Sequence, residues 1–239
     1  MSGPANRRRF LSGALATCAL ARVAPVHAQV GASGSASLGK EQRDRMTPDQ
    51  VLAELKKGNE RFRAGKTVTH DYRSQQRATA EGQYPAAAFL GCVDSRAPGE
   101  ILFDSGIGDT FNARIAGNVV NDDLLGSLEF ACAVAGAKVI VILGHTACGA
   151  IKGAIDDVEM GNLTGLLARI KPAITATKFA GDRSSKNATY VDAVARTNVS
   201  LGVEMVRRRS PVLEALERKA AIKIVGAMYD LKTGAVEMI

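Results

Sequence analysis

The stretch KVIVILGHTACGA, residues 138–150, decides the fold. Residues 139–143 are five consecutive large apolar side chains, four of them β-branched, with no polar alternation. Such a run reads as a strand buried on both faces, because a half-exposed strand would alternate and a helix would need about twice the length. Two further runs share this character, AAAFLGC (86–92) and IKIVGAMYD (222–230). A shorter strand is expected at TFNARIAG (110–117), and an edge strand at 236–239 after the Lys232-Thr233-Gly234 turn. Helical patterns occupy the intervals at 122–135, 149–158, 163–178, 188–208 and 211–220. Strands that alternate with helices imply right-handed crossovers, so the expected fold is a single α/β domain with a mostly parallel central sheet flanked by helices.

Toward the amino end, Thr47-Pro48-Asp49-Gln50 has the form of a capping box with proline at the first helical position. Order is expected to begin there, with the domain spanning 46–239. The polar segment 67–83 reads as mobile, and the Gly/Ser-rich then charged residues 29–45 as a flexible leader. Residues 6–28, NRRRFLSGALATCALARVAPVHA, combine Arg7, Arg8 and Arg9, a short apolar stretch and a small-residue cleavage site. That pattern resembles a twin-arginine signal, placing residues 1–28 in an export peptide and the folded product in the periplasm, or in the cytoplasm if the signal is not functional. The apolar stretch falls short of the roughly 20 residues of a membrane span and is broken by Arg22, so no stable membrane insertion is expected.

Residues 1–28 carry four arginines and no acid, so their removal lowers the net charge from +7 to +3. A mildly basic chain without Lys/Arg runs or interleaved aromatics gives a nucleic-acid role no footing. With Cys18 in the signal, Cys92, Cys132 and Cys148 remain, an odd number that argues against a disulfide framework in an exported protein. Cys132 falls in the apolar pattern Leu124, Leu125, Leu128, Cys132, Ala135 and reads as helix core.

The other two cysteines sit at strand ends. The run 86–92 closes on Cys92, with Asp94 and Arg96 just beyond; the run 138–145 closes on His145, with Cys148 three residues later. In an open α/β sheet, sites form beyond the carboxyl ends of strands where the strand order reverses. If these two strands are neighbours, the groups converge. Cys92, His145 and Cys148 make a set suited to Zn2+, leaving the fourth position of a catalytic site to water. Asp94 and Arg96, two residues apart, can form a charge-assisted pair that keeps the carboxylate ionised. That carboxylate has two roles open to it: a fourth metal ligand in a closed form, or an acceptor that orients hydroxide in an open one.

Cys92-Val93-Asp94-Ser95-Arg96, RIAGNVV (114–120), GHTACGA (144–150) and SPVL…KIVGAMYDLKTGAV (210–236) together resemble a β-class carbonic anhydrase over roughly residues 46–239. The resemblance implies that family's fold and the zinc-dependent hydration of CO2 to bicarbonate and a proton by zinc-bound hydroxide, a lyase reaction. It assigns Cys92, His145 and Cys148 to zinc and Asp94 and Arg96 to a catalytic dyad. It places Gln83 as a substrate-facing amide from a partner subunit and Phe111 on the wall of an apolar CO2 pocket, and it implies a homodimer or homotetramer. A bicarbonate-regulated second site would use positions that are here Phe89, Arg114 and Phe130; two phenylalanines cannot donate, so no such site is expected, and Arg114 reads as a structural ion pair. Hydrolysis of COS or CS2 at the same metal, a non-catalytic zinc site closed by Asp94, and a thiol redox role are the competing readings. The last lacks a C-x-x-C pair.

Overall fold

The computed structural model describes residues 37–239, so residues 1–28, expected to be an export signal, and residues 29–36 of the expected leader lie outside the described residues. Helix α1 (Lys40–Arg45) precedes α2 (Pro48–Arg63), α3 (Tyr72–Ala78), strand β1 (Ala87–Gly91), the single turn α4 (Gly99–Leu102) and β2 (Thr110–Arg114). A short 3-10 turn at Ala116–Asn118 leads to α5 (Asp122–Glu129), whose end widens into a π-helical turn at Phe130–Val134, and then to β3 (Val139–His145). There follow α6 (Gly149–Ile155), α7 (Gly161–Ala168), α8 (Lys171–Ala176), the long α9 (Ala188–Arg209), α10 (Pro211–Arg218), β4 (Lys223–Tyr229) and β5 (Val236–Met238).

The five strands form one sheet in the order β2-β1-β3-β4-β5. All neighbours are parallel except β5, which pairs antiparallel with β4 at the edge. The chain moves outward from β1 to β2, then returns past β1 to β3, so strand order reverses between β1 and β3. Their unbroken apolar runs are explained by cover on both faces. Leu90, Ile140 and Ile142 pack with Leu128, Val191, Val199 and Leu213, whereas Phe89, Val139, Val141 and Leu143 pack with Val51, Leu55 and Phe103.

The capping box forms as expected: Thr47 Oγ1 accepts from the Gln50 N–H at 3.2 Å, and Gln50 Oε1 accepts from the Thr47 N–H at 2.8 Å. Other expectations need correction. The leader does not stay flexible to residue 45, because α1 is docked by Arg43, 4% exposed, whose guanidinium donates to the Ala135 carbonyl and to Asp44. The segment 67–83 holds α3, capped where Asp71 accepts from the Ser74 N–H at 2.9 Å, and is anchored where buried Asp104 accepts from the Val68 N–H at 3.2 Å. The helix expected over 163–178 is two helices. Pro172 sits in the first turn of α8, where it lacks the N–H and the room that a continuous helix would demand.

Helix α2 crosses α4 at a backbone contact that only glycine permits: a Cβ on Gly58 would lie 1.9 Å from the Phe103 carbonyl oxygen. Beside it, buried Asn59 donates to the Leu102 and Gly234 carbonyls, each at 3.0 Å, and accepts from the Val236 N–H. Gly58→Ala must push α2 off this seam, and the expected destabilisation is about 1–3 kcal/mol, to be read from denaturant unfolding.

At the other end of the sheet, Glu217 takes both Nε and Nη2 of Arg207, at 2.7 and 2.9 Å, and the Ile224 N–H at 3.1 Å, tying α9 and α10 to β4. The Arg207 hydrogen bonds hold the Glu217 carboxyl below its ordinary value of 4.5. A depressed acid stabilises the fold above its unfolded pKa and loses that contribution as pH falls through its folded pKa. The melting-temperature gap between the parent and Glu217→Gln should therefore be full at neutral pH and close as pH drops below 4.5.

Candidate metal centre

The β1–β3 register builds the site. Gly91 stands opposite Leu143, so Cys92 emerges level with Gly144, beside His145 at the end of β3. Cys148 caps α6. The ligand atoms of Cys92, His145 and Cys148 all lie within 4.8 Å of one another, and all three residues are buried.

His145 Nδ1 lies 2.9 Å from the Thr146 carbonyl oxygen. A carbonyl only accepts, so Nδ1 carries the proton and Nε2 presents its lone pair. That Nε2 is buried without a hydrogen-bond partner among the described residues, beside two sulfurs. A buried lone pair left unsatisfied costs free energy, and a cation accepting it removes the cost. The donor set of two thiolates and one imidazole fits zinc.

The turn carrying these ligands is held from outside. The Thr146 N–H donates to the Tyr229 carbonyl, and Thr146 Oγ1 accepts from the Leu231 N–H. Ala147 sits in the left-handed region, φ 53°, uncommon for a residue with a Cβ. Its N–H is taken at 2.9 Å by Asp192 Oδ1 of α9.

Cys92 Sγ accepts from the Gly117 N–H at 3.3 Å. The adjacent Cys148 thiol, donating to Cys92, holds the Cys92 thiol down to about 4 against the opposing effect of burial. The same contact, joined by burial, pushes Cys148 up. Cys132 differs from Cys92: burial alone pushes it up to about 12, as suits the helix-core packing expected of it.

Asp94 lies beyond β1 with Oδ2 3.8 Å from His145 Nε2. Arg96 donates through Nε to Asp94 Oδ1 at 2.9 Å and through Nη2 to Oδ2 at 2.7 Å, and its own N–H reaches Oδ1 at 3.0 Å. These bonds, the side-chain pair foremost, hold the Asp94 carboxyl far below the usual carboxylate range. Arg114 differs from the expected ion pair. Its Nε donates to the Cys92 carbonyl at 2.8 Å and its Nη2 to the Asp94 carbonyl, so it clamps the backbone of the ligand loop.

Gln83 and Phe111 are not brought to this cluster. Gln83 is exposed ahead of β1, at the opposite end of that strand from Cys92. Phe111 pairs with Ala88, four residues before Cys92, which at about 3.3 Å per residue is roughly 13 Å short of Cys92 along the strand. It meets Phe130 edge-on at 6.1 Å in an open groove of about 780 Å³ whose walls include Ala88, Leu124 and Leu128. Arg114, Gly117, Asp192 and Asn198 were not legible as site residues. The AGN triplet inside RIAGNVV was the one available signal, since a glycine followed by an asparagine favours left-handed backbone, and both residues adopt it here.

Residues 87–236 match the family model described as carbonic anhydrase. The chain is also similar to carbonic anhydrase 2 of Mycobacterium tuberculosis, 36% identical over 186 residues that make up 75% of this chain and 87% of that protein.

The chain belongs to the carbonic anhydrase family.

Solved structures place this carbonic anhydrase in the β class. A β-carbonic anhydrase of Aspergillus fumigatus superposes with a TM-score of 0.61 at 25% identity, covering 80% of this chain and 89% of that one. The tetrameric β-carbonic anhydrases of Sordaria macrospora share the fold, with a TM-score of 0.62 at 24% identity, covering 79% and 96%.

Proposed function

We propose that this carbonic anhydrase interconverts CO2 and water with bicarbonate and a proton, using zinc held by Cys92, His145 and Cys148. The observation that carries the reading is the orphaned Nε2 of His145 facing two buried cysteine sulfurs, one residue pair away from a carboxylate already claimed by arginine. Zinc supplies the Lewis acidity that makes water a nucleophile near neutral pH. The chain's own residues do the rest. Asp94 is ionised and only accepts, so it takes a hydrogen bond from the attacking water and turns an oxygen lone pair toward the CO2 carbon. Arg96 keeps Asp94 in that role by occupying both carboxylate oxygens. This supports the open form over one in which Asp94 closes the site, because a ligating carboxylate would have to give up part of the bidentate pair.

Gln83 and Phe111 enter the reading through a second copy of the chain. Each lies away from its own cluster, and Phe130, Val93 and Val134 are large apolar side chains exposed on the isolated chain. Burying them against a second copy would set one subunit's Gln83 and Phe111 near the other's metal. The Sordaria macrospora neighbours are tetrameric, which supports an oligomer of dimers. Export to the periplasm rests on residues 6–28; fractionation of cells expressing the full-length chain tests it.

The central experiment pairs metal analysis with stopped-flow CO2 hydration. About one zinc per chain, with hydration lost on chelation and restored by zinc, is the expected result. Stoichiometric zinc without hydration from mildly acidic to alkaline pH overturns the enzyme reading. Turnover of CS2 measured beside that of CO2 separates the competing hydrolase.

A further inference from the structure

Helix α9 lies against the ligand cluster as well as against the sheet. Gly144, one residue before His145, has no room for a Cβ, which would meet Val199 Cγ2 at 2.5 Å, so α9 packs directly on the end of β3. One residue before Val199 is Asn198, 7% exposed. Its Nδ2 donates to the Gly117 carbonyl at 2.8 Å, a contact between residues 81 apart in the chain. Gly117 is the residue whose N–H reaches Cys92 Sγ. Its backbone, φ 65° and ψ 20°, is the left-handed kind open to glycine, and a Cβ there would strike Ile170 Cδ1 at 2.7 Å. Glycine carries no side chain to impose this backbone direction, so tertiary contacts fix it. The bond from Asn198 is the side-chain contact on the Gly117 carbonyl.

The consequence concerns sulfur. An N–H aimed at a thiolate draws charge from it, weakening it as a donor to the ion it holds. Two thiolate ligands leave a bound cation less acidic than imidazoles would, and a hydrogen bond to one of them offsets part of that donation. We propose that Asn198 is a positioning residue for the metal centre: by holding the Gly117 carbonyl, it keeps the Gly117 N–H on Cys92 Sγ and so sets the donor strength of that ligand. The proposal rests on Cys92 being a metal ligand.

The test loads the parent chain, Asn198→Ala and Thr197→Ala with Co2+ and records the sulfur-to-cobalt charge-transfer band, then measures metal loss to a competing chelator. Thr197, the preceding residue of α9, bonds to Thr177 Oγ1 and the Ala193 carbonyl, and serves as the control for general disturbance of the helix. With the N–H released, sulfur donates more strongly. In Asn198→Ala the band should therefore move to longer wavelength with cobalt retention no lower than the parent's, while Thr197→Ala matches the parent in both. An unmoved band or weaker cobalt retention in Asn198→Ala, or the same shift in Thr197→Ala, overturns the proposal. A parent chain that shows no sulfur-to-cobalt band refutes the metal-centre reading itself, a distinguishable failure. If Asn198→Ala does not fold, Asn198→Ser keeps a polar group without the reach and should show the same shift. In the parent loaded with an NMR-active cadmium isotope, the Gly117 amide proton should couple to the metal through the hydrogen bond; absence of that coupling also overturns the proposal.

Discussion

Cys148→Ser is expected to lose the metal while keeping the fold. Serine is close to isosteric with cysteine, and the site at the head of α6 is already buried, so packing changes little. The chemistry changes a great deal: a hydroxyl does not ionise near neutral pH, and zinc loses one of only three protein ligands. Removing groups that merely support ligands weakens metal binding on the order of 10–100-fold, so loss of a ligand should exceed about 100-fold. Binding to the folded state alone adds RT ln(1 + [L]/Kd), about 2.7 kcal/mol at a hundredfold excess over Kd. The parent should therefore melt higher with zinc than after chelation, and Cys148→Ser should melt at one temperature in both conditions. Calorimetry with and without chelator, beside metal analysis, checks this; a variant that keeps zinc with parental affinity removes Cys148 from the ligand set.

Asp94→Asn separates the two roles of the carboxylate. Asparagine keeps the shape but puts an N–H2 group at one carboxylate oxygen, where an acceptor is needed, and gives Arg96 a neutral partner. Loss of a positioned proton acceptor costs about 10²–10⁴ in rate, so CO2 hydration should fall by that factor with zinc content unchanged. Arg96 is 56% exposed along its side chain, and an ion pair that open to water adds little to stability, so the melting temperature should barely move. Parental turnover in the variant would sink the dyad. Zinc lost together with activity would instead make Asp94 a fourth ligand. Because the Arg96 bonds keep Asp94 ionised well below the usual carboxylate range, the acid side of the parental rate profile should not report Asp94 titration.

The two strand runs and the groups that close them were readable because an unbroken apolar run too short for a buried helix marks a strand covered on both faces, and because Cys and His are conspicuous at its ends. Cys132 was readable for the same reason in reverse: its neighbours at helical spacing are apolar, and it packs with Leu125 and Leu128. The docking of α1 was not readable, since Arg43 looks like any charged leader residue until its guanidinium meets the Ala135 carbonyl 92 residues away. Arg114 was misread because an arginine's preference for carboxylates says nothing of a nearby pair of carbonyls left free by a tight loop. The break between α7 and α8 was marked by Pro172, whose missing N–H outweighs the apolar periodicity across it.

The sequence by itself determined the chemistry available: two thiols, an imidazole, a carboxylate and a guanidinium, each placed at the end of a buried strand by local periodicity. Only the tertiary structure decided what they become together. The parallel register of β1 and β3 brings Cys92 to His145, the Thr146 carbonyl chooses the His145 tautomer, and α9 directs Gly117 at the Cys92 sulfur. Periodicity acts over a few neighbouring residues, whereas the Cys92–Gly117 and Gly117–Asn198 contacts join positions 25 and 81 residues apart and exist only once the sheet and its covering helix have closed on each other.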